Sequence, residues 1–194
     1  MSRIKHFTII SGLLLAAAPG VLTVSAVRAD VGQPSSSVTS SSQQLTAFSS
    51  EELKAFAGAS VRMPEAIATA QKYSRGWVVE AKFDVTTETP VYKMRTYADA
   101  AIWEGEIDAV SGQVNGAGKR IPVNELDEDA RSELSGVVRV PTASLLQAVT
   151  LVENRVSGKV ISAEVEEIDG ENAYELILFK DGSLHRVIYR SRYH

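Results

Sequence analysis

The chain has 194 residues, 44% of them apolar, with 20 basic side chains against 24 acidic ones and no cysteine. That length allows one or two small domains, and the missing cysteines exclude disulfides, thiol nucleophiles and thiolate metal sites. The acidic balance argues against nucleic acid or an anionic membrane surface as partner, because both require a basic face.

Arg3 and Lys5 open the chain and are followed by a largely apolar run from Phe7 to Ala18, which Pro19-Gly20 interrupts. Val27-Arg28-Ala29 has small or modest side chains at the two positions a signal peptidase reads, so residues 1–29 are read as a signal peptide with cleavage near Ala29. An uncleaved anchor over residues 7–27 is the alternative. Cleavage would remove Arg3, Lys5 and Arg28 but no acid, leaving 17 basic against 24 acidic residues, a net charge of −7. The expected location is periplasmic or secreted, with no membrane attachment after signal removal.

Residues 30–48 form a serine-rich tract with six serines between Asp30 and Gln44, expected to be a disordered tether. A short helix is predicted over Ser50 to Phe56, with Ser50 as its cap. Met63, Ala66, Ile67 and Ala70 recur at helical spacing, and Gly76 closes that stretch. Trp77 to Val85 then alternates as a half-buried strand, placing Val79, Ala81, Phe83 and Val85 on one side, and Trp77 shares the parity of Val79 and is read as flanking the core. A turn at Thr86 to Pro90 precedes a run with Tyr92 and Met94 on one face. After a turn at Asp99, a third run spans Ile102 to Ala109.

The same order returns downstream. Ser144-Leu145-Leu146-Gln147 is a capping-box pattern opening a helix that Gly158 closes. Strand-like alternation follows through Ile161, Ala163 and Val165, then Tyr174, Leu176 and Leu178, with a turn at Asp181-Gly182 before Leu184 to Tyr189. A single offset of 82 residues carries Ala66 to Ala148, Gly76 to Gly158, Ala81 to Ala163, Tyr92 to Tyr174 and Asp99 to Asp181. Helical stripe, strand parity and turns all stay in register under it, as expected of an internal duplication.

Each copy resembles a PepSY domain, the module of thermolysin-type peptidase propeptides and of many small exported bacterial proteins. The resemblance rests on Pro64-Glu65-Ala66-Ile67, on Gly76 to Ala81, and on Asp108-Ala109-Val110-Ser111-Gly112-Gln113-Val114. The second copy keeps the helix and Gly158 to Ala163 but has Arg190-Ser191 where the closing motif would stand. The resemblance implies an α+β fold, two tandem modules of helix packed on an antiparallel three- to four-stranded sheet, similar in architecture to the beta-lactamase inhibitor protein. The expected layout is a first module over residues 49–114, a linker with a short helix over 115–139, and a second module over 140–194. It also implies a non-catalytic function: binding a protein partner in the envelope, such as a peptidase to be inhibited or regulated. A structural or folding-accessory role is the alternative.

No reaction is legible in the residues. His185 and His194 are the histidines beyond the export segment, and no nucleophile elbow accompanies either. The acids of Glu125 to Glu133 lack the alternating ligands and central glycine of a calcium loop, and Gly116-Ala117-Gly118-Lys119 lacks phosphate-loop spacing and reads as a flexible turn. No cofactor or metal is therefore expected, and Tyr92 and Tyr174 are read as core residues. One pattern departs from a plain sheet. Ile177, Phe179, Leu184, Arg186 and Ile188 lie on the parity that should face solvent, where the first copy has Arg95, Tyr97, Ile102, Glu104 and Glu106. An apolar outer face marks a covered surface. These five residues are the candidate partner-binding set, to be covered by the other module, a second copy in a homo-oligomer, or another protein.

Overall fold

The computed structural model of the chain describes residues 36–41, 48–85, 89–137, 144–168 and 171–191. The expected signal peptide, residues 86–88 of the first turn, the opening residues of the second module and His194 lie outside the described residues.

The elements run β1 (Ser36–Ser41), α1 (Ser50–Gly58), α2 (Met63–Ser74), β2 (Trp77–Asp84), β3 (Val91–Ala98), β4 (Ala101–Asp108), β5 (Val114–Pro122), α3 (Glu128–Val137), α4 (Leu145–Val156), β6 (Lys159–Ile168), β7 (Glu171–Lys180) and β8 (Ser183–Ser191). The fold is α+β. All strands join one eight-stranded sheet in the order β1-β8-β7-β6-β2-β3-β4-β5. The two predicted repeats therefore meet edge to edge through an antiparallel β2–β6 pairing, Glu80 opposite Glu164 and Ala81 opposite Ala163.

Local chemistry explains the helix boundaries. The N-cap of α1 is Ser49, one residue before the expected Ser50; its hydroxyl accepts from the Glu52 N–H at 3.1 Å, and the Glu52 carboxylate accepts from the Ser49 N–H at 2.7 Å. Ser144 and Gln147 form the expected box at α4, with hydrogen bonds of 3.2 and 2.9 Å. Both main helices stop at a residue in the left-handed region, Arg75 (φ 56°) and Ser157 (φ 55°). The glycine after Arg75 is required by space, since a Cβ on Gly76 would stand 2.8 Å from the Tyr97 carbonyl oxygen.

The two stretches share further irregularities 82 residues apart. The register slips between Val78 and Glu80 in the β2–β3 ladder and between Val160 and Ser162 in the β6–β7 ladder. The hairpins after β3 and β7 turn through positive-φ pairs, Asp99-Ala100 and Asp181-Gly182, as tight antiparallel hairpins demand. The slip corrects the side assigned to Val79 and the core-flanking place read for Trp77. An extra residue at the bulge turns Val78 inward, leaves Val79 half-buried and leaves Trp77 52% exposed.

Helices α2 and α4 pack on each other and on one sheet face. Met63, Ala66, Ile67, Ala70, Ala148, Val149 and Val152 meet Ala81, Phe83, Tyr92, Met94, Ala163, Tyr174 and Leu176 in one continuous core. Both repeated tyrosines are core residues, each 1% exposed. Burying each such ring contributes roughly 1.5–3 kcal/mol.

Two expected segments differ from the sequence reading. Much of the expected linker is β5, which extends the sheet beyond β4, so Gly116 to Lys119 is bulged strand and no free turn. Gly116 and Gly118 take positive φ there, and Trp103 lies across Gly118 and donates from Nε1 to the Ala117 carbonyl at 3.0 Å. The serine-rich tract expected to be wholly disordered contributes β1, paired along β8 over six residues. Main-chain pairing supplies there what the side chains of a serine tract do not.

Candidate docking face

The register places the five candidate residues together. Ile188 stands opposite Glu175, Arg186 opposite Ile177, and Leu184 opposite Phe179. Tyr174, Leu176 and Leu178 alternate to the other face, opposite Tyr189, Val187 and His185. The five thus share the face away from α2 and α4, as the alternation predicts.

Their exposure is unequal. Ile177 is 8% exposed and belongs to the main apolar cluster, against which Phe179 and Leu184 also pack. Phe179 meets the ring of Phe56 from α1 edge-on, centroids 6.2 Å apart, and Phe56 in turn packs on Phe83 at 5.1 Å. Phe48, just before α1, joins the same cluster and lies 5.3 Å below the Lys82 ammonium. The chain's own N-terminal helix thus takes up part of the apolar set. Phe179, Leu184, Arg186 and Ile188 are all half-buried, and Arg186 and Ile188 lie outside that cluster.

Arg186 ion-pairs with Glu175, and that hydrogen bond, with Glu166 and Glu164 nearby, raises the guanidinium pKa above its ordinary value. The oxygens of Glu164, Glu166 and Glu175 come within 4.8 Å of one another. Sequence reasoning missed this cluster because its members come from two strands, and only the β6–β7 register brings Glu164 opposite Glu175. Arg186 supplies it a counter-charge.

Towards β4 the outer face becomes a charge ladder. Arg95 lies between Glu80 (3.4 Å) and Glu104 (3.3 Å), and Lys93 pairs with Asp84. On the helix side, Glu153 of α4 is 4% exposed, accepting from the Val160 N–H at 2.8 Å and from Arg62 Nη2 at 2.7 Å. Burial raises the Glu153 pKa more than these donors lower it. Tyr92 donates to the Val61 carbonyl at 2.7 Å, and burial raises its phenol pKa. The crevice lined by Phe56, Val61, Arg62, Tyr92, Glu153 and Lys159 has no room for a water-sized group, so it is a packed junction between the start of α2 and α4. His185 lies half-buried on β8, opposite Leu178.

Among the described residues, no helix is long and apolar enough to cross a membrane. No curated protein matches the chain by sequence. A lipoprotein candidate of Clostridium difficile 630, known from its crystal structure, is similar over 69% of this chain and 88% of its own, at 18% identity and a TM-score of 0.37. Residues 65–116 match the family model PepSY, described as the peptidase propeptide and YPEB domain. That match runs from the first turn of α2 through β2, β3 and β4 into β5. The matched stretch holds the helix, the bulged strand, the tight hairpin and the closing glycine turn described above.

Proposed function

We propose that this chain is a non-catalytic exported protein, periplasmic or secreted after loss of residues 1–29, that binds a protein partner and acts as an inhibitor or regulator of a peptidase. The observation that carries the reading is the PepSY match, whose family is described by its place in peptidase propeptides. The reading includes a second, more divergent PepSY-like module in α4 to β8. The shared helix caps, register slips and hairpin turns support it. On this reading the two modules share one continuous sheet and offer a partner a wide surface. The docking face is the outer side of β7 and β8, where Phe179, Leu184, Arg186 and Ile188 are all half-buried and Arg186 and Ile188 are the two outside the core cluster.

Adding the chain in increments to a thermolysin-type metallopeptidase tests this reading. Activity falls linearly to a stoichiometric end point if the chain is an inhibitor, and Ile188→Lys weakens the titration. Full peptidase activity in the presence of excess chain would overturn the peptidase reading.

The structural or folding-accessory reading draws on a different observation, the packing of Ile177, Phe179 and Leu184 into the chain's own core cluster. It predicts that substitutions on this face lower stability and alter no binding.

A further inference from the structure

The far edge of β8 is occupied by a segment that no motif selects. Strand β1 reads Ser-Ser-Val-Thr-Ser-Ser and pairs with β8 over six consecutive positions, from Ser36 opposite Ser191 to Ser41 opposite Arg186, without a register slip. The β2–β3, β4–β5 and β6–β7 ladders all slip once. The sequence of β1 has one apolar residue, Val38. Fixing a backbone residue costs about 1–2 kcal/mol, and a serine strand has little apolar area to offset it. Its pairing therefore draws mainly on main-chain hydrogen bonds, which any sequence can make.

The β8 side is different. Val187 is fully buried and Tyr189 is 6% exposed on the core-facing side, and half-buried Ile188 faces the other way. A strand of nine residues with these side chains is one that proteins keep covered, because a bare edge invites pairing by other chains. Thr39 stands opposite Ile188 and Ser40 opposite Val187. Ser40 is neither β-branched nor apolar, and Thr39, though β-branched, carries a hydroxyl where valine carries a methyl, so an apolar residue at either position would add a favourable cross-strand pair that β1 does not supply.

We infer that the β8 edge is a strand-addition site whose resident occupant, β1, is displaceable. Its ligand is an extended peptide segment that runs antiparallel to β8 and carries apolar residues at the positions now held by Thr39 and Ser40. Main-chain bonds give the affinity and the alternate side chains give the choice of partner. The inference rests on the binding-module reading above, but its test contains no peptidase, so the two can fail separately.

The chain has no cysteine, so Thr39→Cys with Ile188→Cys creates one disulfide across a directly opposed pair and locks β1 in place. The probe is a fluorescent hexapeptide, Ser-Ser-Val-Val-Val-Ser, read by anisotropy against the same full-length variant oxidised and reduced. The reduced form binds it at least tenfold more tightly than it binds Ser-Ser-Val-Thr-Ser-Ser, and the oxidised form loses binding. Deleting residues 30–41 strengthens binding, since no resident strand must be displaced. Equal binding by the oxidised and reduced forms would overturn the inference. So would no binding by the deletion variant or, should that variant not fold, by the reduced cysteine pair. A deletion variant that dimerises and ignores the peptide would overturn it too, giving the edge to a second copy.

Discussion

Glu153 sets burial against ion pairing where α4 meets the start of α2, and the structure indicates which prevails. Its side chain is 3% exposed, whereas Arg62, its partner at 2.7 Å, is 50% exposed. Burial is the largest influence on the carboxyl and raises its pKa above the ordinary 4.5. The folded state thus holds the proton more firmly than the unfolded state. The stability this contributes is fully present below the unfolded pKa and is lost as pH rises through the folded one. Glu153→Gln removes the titration and leaves an amide oxygen to accept from Val160. Between about pH 4 and about pH 7 the thermal midpoint of this variant should therefore rise relative to wild type. Arg62→Met should act the other way, leaving a buried carboxylate with one donor fewer. A fully buried pair broken in this manner costs about 3–5 kcal/mol. With Arg62 half in water and Val160 still donating, about 1–3 kcal/mol at neutral pH is the appropriate range. For a folded unit of this size that lowers the midpoint by about 2–4 °C per kcal/mol. Scanning calorimetry of the three proteins across the pH range is the assay. A Glu153→Gln midpoint that falls relative to wild type as pH rises would show that the Arg62 pairing outweighs burial, refuting the argument.

Three further outcomes follow from the packing. Tyr174→Ala should destabilise by about 3–5 kcal/mol in urea unfolding and Ile67→Ala by about 2–5, because both side chains are fully buried; half-buried His185 replaced by Gln should cost under about 1. Gly118→Ala should cost about 1–3 kcal/mol more than Gly182→Ala in the same measurement. Both glycines have positive φ, but a Cβ on Gly118 would meet Trp103 Nε1 at 2.4 Å whereas Gly182 faces open space. Protein recovered from the cell envelope should begin at Asp30 by intact mass, and a mass that still includes residues 1–29 would favour the anchored form.

The helices and strands were legible because their signals are local: caps, alternation and turn residues, which recur at the 82-residue spacing between Gly76 and Gly158. What was not legible depends on partners distant in sequence. Trp77 reads as core-flanking by alternation, and the bulge that turns it outward appears only in the ladder with β3. Gly116 to Lys119 has loop composition, yet it pairs along β4 and Gly118 makes room there for Trp103. The Ser36 to Ser41 tract carries no strand signal of its own, and its pairing is supplied by β8, about 150 residues later in the chain. Parity grouped the five candidate residues, and the β7–β8 register keeps them on one face. Its partial cover by Phe56 was hidden, because nothing in the α1 stripe indicates which strands that helix meets.

The account turns on whether the chain forms a defined complex with a peptidase, and light scattering coupled to size exclusion addresses that most directly. Mixed with a thermolysin-type metallopeptidase, the chain should elute in a single species with the summed mass of one copy of each, and Ile188→Lys should return the two proteins to separate peaks. Two separate peaks from the wild-type mixture, with the peptidase fully active, would contradict the account.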